Sequence, residues 1–468
     1  MKVTISNNIK IQDPTTEITT WCKENLTIDN PDYAKKVRMG FWVGNTPKKL
    51  YLYEVHGDTL VLPYGTLKEI TPMLHGSVVT TNFDTPISMD FGKPISLYPY
   101  QKTAVKQAKQ GLYGILQSKA GSGKTRCGLA LIKEYGRKTL WLTHTKDLLN
   151  QSKKAAEEFF DKDLLGTITE GKVNIGKGIT FATVQTLSKL DLAQYKNMWD
   201  VIVCDECHRI AGGPTQLTMF AKVLNSLSAR HKYGLSATVH RADGMIRATK
   251  ALIGDVVYTV PDEAIADRVM RVGIKPVGTG VKISRECLNT DGTLNYAKLI
   301  NYLCECSTRN VLIRDSIVNE SDKSCLVLSD RLCHLETLLN LLPPNLKDKA
   351  VMISGKMTTK KGKAEREQAI EDMRTGKKQY LFATFSLAKE GLDIPCLERL
   401  FMVTPQKDYA VITQSIGRVA RTFEGKADPI VYDFVDDIGY MVKSYKQRCA
   451  TYRKNNCYFM EAQSNAIL

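Results

Sequence analysis

From about residue 95 onward, short apolar runs alternate with stretches of helical character. Runs at 112–116, 139–143, 180–184, 201–205 and 234–238 are separated by segments such as 145–160 that carry apolar residues at helical spacing. Strands that alternate with helices in this way predict a parallel sheet covered on both faces. A second series begins near 324 and continues through 351–354, 380–384, 400–404 and 430–434. Between the two series, the residues from 261 to about 318 read as a crossover with a short extended piece and a helix. The first ninety residues differ. Apolar and aromatic runs at 41–43 and 50–55 are bounded by the turn signals Gly44-Asn45-Thr46-Pro47 and His56-Gly57-Asp58, which predict strands. The expected fold class is α/β, with two tandem lobes of parallel sheet and a small strand-rich N-terminal accessory domain. The expected limits are 1–92 for that domain, 93–265 for the first lobe, 266–318 for the crossover, 319–440 for the second lobe and 441–468 for a basic helical tail.

Ser118-Lys119-Ala120-Gly121-Ser122-Gly123-Lys124-Thr125 stands between the strand at 112–116 and a helical stretch containing Leu129, Leu131 and Ile132. A phosphate-binding loop requires that position. Gly121 and Gly123 let the backbone bend so that successive amides, including that of Ser122, face phosphate oxygens at a helix N-terminus. Lys124 then reaches the β- and γ-phosphates of ATP, and the Thr125 hydroxyl ligates Mg²⁺. The run 201–204 ends in Asp205-Glu206, which puts two carboxylates at a strand tip. Asp205 suits a hard cation such as Mg²⁺, and Glu206 suits the orientation or deprotonation of an attacking water. Without the preceding loop, the same acids would read as a solvated pair.

Cys204 and Cys207 form a Cys-x-x-Cys, yet no second pair stands at a zinc-site spacing, since Cys304 and Cys306 are one residue apart. The twelve dispersed cysteines read as reduced thiols, not as a disulfide framework. No apolar run approaches the ~20 residues needed to cross a bilayer, and residues 1–20 lack the basic start and apolar core of a signal peptide. A cytoplasmic protein, without a membrane partner, is expected. A formal charge of +16 favours a polyanionic partner, although surplus lysine also serves solubility.

Several further segments, together with the glycine loop and Asp205-Glu206-Cys207-His208, resemble superfamily 2 helicases and translocases from about residue 97 to 435. Tyr98-Pro99-Tyr100-Gln101 looks like the adenine-sensing segment, with Gln101 reading the base. Thr143-His144-Thr145-Lys146-Asp147-Leu148-Leu149 and Thr183-Val184-Gln185-Thr186 are similar to first-lobe segments that touch a nucleic-acid backbone. Ser236-Ala237-Thr238 matches the segment that couples hydrolysis to lobe movement, a role shared by His208, and continues to Arg241 at the nucleic acid. In the second lobe, Cys325-Leu326-Val327-Leu328-Ser329-Asp330-Arg331 and the segment from Ala383-Thr384 to Glu390-Gly391-Leu392-Asp393 resemble further contact segments. The resemblance implies nucleic-acid contacts for Ser329, Arg331 and Thr384, and nucleotide contacts for Gly391 and Asp393. Gln414-Ser415-Ile416-Gly417-Arg418-Val419-Ala420-Arg421 is similar to the segment that brings two arginines, Arg418 and Arg421, to the γ-phosphate, with Gln414 beside them. Guanidinium groups suit that task because they stay charged and fork onto paired oxygens.

Lys35, Lys36, Arg38, Lys48 and Lys49 lie among the aromatics of the N-terminal region. This mixture fits phosphate contact and base stacking, and equally the solvated face of a small basic sheet. The region resembles the accessory domain that precedes the motor in phage helicases of the UvsW type, which remodel branched DNA. Lys443, Tyr445, Lys446, Arg448, Tyr452, Arg453 and Lys454 place more basic and aromatic residues on a tail helix. These either serve nucleic acid or pack on the second lobe. Together these features predict an ATP- and Mg²⁺-dependent DNA helicase or translocase, monomeric and acting on forked or branched DNA. An RNA helicase of the same superfamily, or an ATP-gated junction clamp that does not unwind, would share most of these features.

Overall fold

The computed structural model describes residues 1–461, apart from 85–87, 92, 120, 212, 240–243, 356, 358, 390 and 391. The chain divides into two compact units, one of residues 1–119 and 123–264 and the other of residues 120–122 and 265–468.

The first unit holds two main sheets and a two-stranded one, Thr27–Asp29 with Lys49–Tyr51. The larger has eight strands in the order Lys172–Asn174, Leu165–Thr169, Ile179–Thr183, Thr139–Thr143, Val201–Asp205, His231–Ser236, Gly114–Gln117 and Val256–Thr259. All neighbours pair in parallel except the outermost hairpin, Leu165–Thr169 with Lys172–Asn174. Its central strands are buried along their whole length, as in Thr139–Thr143 and Val201–Asp205. Strands buried on both faces need continuous apolar runs, not alternation, which is why the runs stand out in the sequence. Local chemistry sets the helix limits. Lys124–Tyr135 begins after Gly123 and ends at Gly136, both with positive φ, and the Thr145 hydroxyl caps Lys146–Ala156 by accepting from the Leu148 amide at 3.3 Å.

The smaller sheet is the strand-rich N-terminal region, in the order Glu54–His56, Thr59–Pro63, Asn8–Gln12, Lys2–Ile5 and Val78–Thr81. In Lys2–Ile5 and Asn8–Gln12 every second side chain is buried, so one face is apolar. That face closes over Ile18 and Cys22 of the helix Thr16–Asn25, and the same core takes in Tyr113 and Ala251 of the larger sheet's layer. Gly65 marks the closest approach. A Cβ there would stand 2.4 Å from the Gly254 amide nitrogen and 2.6 Å from the Ala251 carbonyl oxygen. Only glycine lets these two backbones touch.

The second unit is built on a fully parallel sheet in the order Ala350–Ile353, Tyr380–Thr384, Cys325–Ser329, Arg399–Met402, Ile430–Val435, Gly273–Gly278 and Tyr458–Phe459. One sequence expectation needs correction here, and one alternative left open by the sequence is decided. The extended piece of the 266–318 crossover, Gly273–Gly278, is a strand of this sheet, paired with Ile430–Val435 over six residues. Pro276 obscured it. The outer neighbour Tyr458–Phe459 pairs only with Gly273 and Ile274, so the proline falls where no ladder amide is needed on that side. The tail is likewise part of the fold. In the helix Gly439–Lys454, Arg448 is buried and makes two 2.8 Å hydrogen bonds to the Asp433 carboxylate, to which the Tyr452 hydroxyl also donates at 2.6 Å. Tyr445 and Tyr452 lie in the core, and only Lys443, Lys446, Arg453 and Lys454 of the named basic residues are exposed.

Candidate nucleotide-binding site

In the first unit, the strand order brings three separate motifs to one edge of the larger sheet. Gly114–Gln117 and Val201–Asp205 flank His231–Ser236, with Gln117 in register with Ser236 and Asp205 with Leu235. The glycine loop, Asp205-Glu206 and Ser236-Ala237-Thr238 therefore leave the carboxyl ends of three adjacent strands. That edge is where open parallel sheets bind ligands.

Gly121 and Gly123 have φ of +85° and +78°, a conformation that side chains resist. The second also has a neighbour to accommodate, because a Cβ on Gly123 would lie 2.5 Å from the Gln101 amide nitrogen. Gln101 is buried at the start of the helix Pro99–Gly111, where its carbonyl accepts from the Tyr98 backbone amide at 3.0 Å. Its carbonyl serves as a helix cap and its amide group lies beneath the loop. Lys124 is the first residue of its helix and is buried, with Nζ 3.8 Å from Glu206 Oε1. Thr125 follows on the same helical turn. Beside a helix N-terminus, this cradle fits a polyphosphate.

Asp205 is also buried. Its Oδ2 accepts from the Ser152 hydroxyl at 3.1 Å and its Oδ1 from the Glu206 amide at 2.9 Å. Burial, reinforced by the Glu206 carboxylate, pushes the Asp205 carboxyl up to about 6, even though Lys124 and both hydrogen bonds oppose the shift. A divalent cation would relieve this desolvated carboxylate, so the donor set of Asp205 and Thr125 suits Mg²⁺. Glu206 has φ +47°, an uncommon conformation for a residue with a Cβ, and this turns its own amide back onto Asp205. Its Oε2 lies 3.2 Å from His208 Nδ1, which lies 3.0 Å from Ser236 Oγ. Ser236 Oγ in turn donates to the Thr238 carbonyl at 2.6 Å and accepts from the Thr238 amide at 3.1 Å. Glu206, His208, Ser236 and Thr238 are thus one polar chain.

Among these groups the sequence reading missed Ser152. It lies on the buried face of Lys146–Ala156 with Leu148, Leu149 and Ala156. A lone hydroxyl in that helical stripe was the available signal.

The residues expected at the nucleic acid divide by exposure. Thr143, His144, Thr183 and Ser329 are buried. The Thr143 hydroxyl donates to the Thr145 carbonyl at 3.0 Å, and that of Thr183 to Thr186 Oγ1 at 3.1 Å. Ser329 Oγ lies 3.2 Å from His334 Nδ1 and accepts from the Arg331 amide at 3.1 Å. The His144 ring is driven down to about 4 by burial and by Arg209, so at neutral pH it carries no charge to offer a phosphate. These four side chains shape the strand-end loops. Arg331 and Thr384 are part-exposed, with Arg331 Nε donating to Asn301 Oδ1 at 3.2 Å and Thr384 Oγ1 lying 2.8 Å from Ser386 Oγ. Arg241 and Gly391 lie outside the described residues.

Within the second unit, Gln414 and Arg418 sit one turn apart on Tyr409–Val419, and Arg421 follows that helix. Arg418 donates to the Ala388 carbonyl at 2.9 Å and to the Leu392 carbonyl at 3.1 Å. Arg421 pairs with the Asp393 carboxylate, which Arg374 also contacts at 3.2 Å. Gln414, Arg418, Arg421 and Asp393 are therefore gathered in one region of that unit.

Two family models match the chain, and together they span more than half of it. "Type III restriction enzyme, res subunit" covers residues 94–241, and "Helicase conserved C-terminal domain" covers residues 307–423. The chain belongs to the superfamily 2 helicases, and its activity is that of an ATP-dependent nucleic-acid helicase. It is similar to viral members of that class. A probable helicase, D10, of Escherichia phage T5 is 27% identical over 73% of this chain and 72% of the relative. The ATP-dependent DNA helicase uvsW of Enterobacteria phage T4 is 22% identical over 75% and 71%. The solved structure of S. cerevisiae Dbp5 bound to RNA and ADP BeF3 matches with a TM-score of 0.54 at 18% identity, over 86% of this chain and 93% of that one, which shows the shared fold.

Proposed function

We propose that this helicase acts on DNA, that it unwinds or branch-migrates forked and branched substrates, and that it uses Mg²⁺-ATP. The observation that carries the reading is the N-terminal region, whose five-stranded sheet shares its core with the first RecA-like lobe and which also carries the basic and aromatic segment at 31–51. A nucleic-acid contact fixed to the motor in this way suits a substrate with more than one arm. The similarity to a relative named as a DNA helicase adds support.

When bound, the nucleotide supplies the hydrolysable phosphoanhydride and Mg²⁺ supplies charge neutralisation. The loop amides and Lys124 hold the phosphates, and Asp205 and Thr125 would hold the cation. Glu206 orients a water and takes its proton, and the His208–Ser236–Thr238 chain links the state of Glu206 to the end of the neighbouring strand. Arg418 and Arg421 act on the same phosphate from the second lobe, which makes lobe movement a condition of turnover. Alternation of grip between the lobes converts that cycle into stepping along one strand. The mechanism calls for one chain and no membrane, and among the described residues no helix is long and apolar enough to cross one.

The test compares ATPase stimulation and strand displacement on forked DNA, four-way junctions, linear duplex and matching RNA. Branched DNA is expected to stimulate most. Equal or better activity on RNA would overturn the DNA assignment, and stimulation without strand displacement would favour an ATP-gated clamp.

A further inference from the structure

Residues 30–48 form an arm that leaves the first unit on a two-stranded stem. Thr27–Asp29 pairs antiparallel with Lys49–Tyr51, and Ile28, Leu50 and Leu52 of the stem pack against the core of the first lobe. Asn30 closes the stem. It is 1% exposed, its Oδ1 accepts from the Asp32 amide at 3.0 Å to cap the helix Pro31–Arg38, and its Nδ2 donates to the Pro47 carbonyl at 2.8 Å. One side chain therefore ties both ends of the arm.

What the arm presents is unusual for a solvated surface. The helix Pro31–Arg38 buries no residue. Trp42 is 87% exposed and Phe41 61%. The Trp42 ring nevertheless has a seat. Gly44, at φ +50°, turns the chain beneath it, and a Cβ on Gly44 would stand 2.9 Å from the indole. One side of the ring rests on backbone while the rest is open. Around it the segment 31–51 carries five basic residues, Lys35, Lys36, Arg38, Lys48 and Lys49, against the single acid Asp32. Lys36 is engaged with Thr46 at 2.6 Å and Lys49 with Asp29 at 2.9 Å. Lys35, Arg38 and Lys48 are exposed and form no ion pair among the described residues. An exposed tryptophan costs solubility. An exposed aromatic ring on an arm that also carries free cations is complementary to an unpaired base with phosphates on either side.

We infer that Trp42, seated on Gly44 and assisted by Phe41, is a stacking platform that captures an unpaired base of the DNA strand at a fork or junction, with Lys35, Arg38 and Lys48 on the flanking phosphates. The inference rests on the DNA reading above and adds where the single strand is held. A paired base inside a duplex has both faces covered, so the platform selects strand that has already opened. The arm's stem is packed on the first lobe, so the captured strand is tied to that half of the motor.

The experiment uses the full chain and fluorescently labelled oligothymidylate, forked DNA and blunt duplex. Trp42→Ala is expected to weaken oligothymidylate and fork binding by about 5- to 150-fold, the range that loss of one stacked base produces, and to leave blunt-duplex binding nearly unchanged. Trp42→Phe should restore much of the loss. Gly44→Ala keeps the indole but removes its seat, so it should fall between. Trp42→Ala should leave the dependence on salt concentration unaltered, whereas Lys35→Ala and Lys48→Ala should each reduce the slope of log affinity against log salt by ~1. ATPase without DNA and the thermal melt should match the parent in all five variants, which separates a lost contact from lost folding. Trp42→Ala binding oligothymidylate and forks as tightly as the parent, while the parent still shows DNA-stimulated ATPase, would overturn the platform alone. A parent whose ATPase ignores every DNA would overturn the underlying DNA reading instead.

Discussion

Ser152 and Asp205 come from different elements, 53 positions apart, and meet in a buried hydrogen bond of 3.1 Å from the serine hydroxyl to the carboxylate. Asp205 is a carboxylate held where water cannot solvate it, and Ser152 is one of two donors that offset the cost. Ser152→Ala should therefore raise the Mg²⁺ concentration needed for half-maximal ATPase and lower turnover by about tenfold, since hydrogen bonds to charged groups contribute roughly 1.5–3 kcal/mol. A Mg²⁺ titration of steady-state ATPase checks this. A variant with the parental Mg²⁺ profile would show that the bond serves packing alone.

Lys124→Ala should abolish hydrolysis, because the γ-phosphate loses a fixed positive charge where charge must be stabilised. Glu206→Gln should still bind ATP yet fail to turn over, since an amide cannot take a proton from water. ATP binding measured by filter retention, paired with phosphate release, distinguishes the two variants.

Arg421→Ala should spare most ATP affinity, which the glycine loop and Gln101 supply, and reduce turnover strongly. An arginine supplied to the γ-phosphate contributes about 10³–10⁵ in rate. Because Arg421 also pairs with Asp393, Asp393→Asn should disturb turnover less than Arg421→Ala. Single-turnover hydrolysis with forked DNA present measures both, and a near-parental rate for Arg421→Ala would remove it from the site.

Arg448→Ala should destabilise the second unit by about 3–5 kcal/mol, because it leaves the buried Asp433 carboxylate without its charged partner. Urea denaturation followed by circular dichroism reads the loss, together with the weakening of all DNA-dependent functions that follows from it. Alanine at exposed Lys446 on the same helix should change stability by less than about 0.5 kcal/mol.

Lys232 gives a pH signature. Its ammonium is buried, donating to the Leu224 carbonyl at 2.7 Å and to the Asn7 carbonyl at 3.1 Å, and burial lowers it from 10.5 to about 7. Between pH 7 and about 10.5 the unfolded chain therefore binds the proton that the folded chain has released. Stability contributed through this group rises with pH across that window and is flat below it. The difference in urea-unfolding free energy between the parent and Lys232→Met should grow in the parent's favour from pH 7 to 9.5. A difference that stays constant with pH would place the lysine's folded-state titration elsewhere.

The two-lobe fold was legible because its strands are buried on both faces. The runs at 139–143, 201–205 and 380–384 read as strands from the sequence and are strands in the structure. The glycine loop and the two carboxylates were legible because their chemistry depends on local order along the chain. What escaped the reading depends on partners distant in sequence. Gly273–Gly278 reads poorly as a strand because Pro276 is tolerated only through the shortness of its neighbour. Whether Arg448, Tyr445 and Tyr452 formed a surface or packed on the second lobe stayed open because nothing in the local sequence announces Asp433.

The contact between Gly65 and Gly254 has a consequence for how such a protein could change over generations. The N-terminal sheet is not a module that can be lost or traded cleanly, because its removal would uncover Tyr113 and Ala251, which share its core. A lineage that discarded it would come under pressure to make those two positions polar, whereas Gly254, held by its φ of +117° and by Tyr113 and Gly114, would stay. Residues inside the motor should therefore record whether an ancestor carried the appendage, even in descendants from which it has vanished.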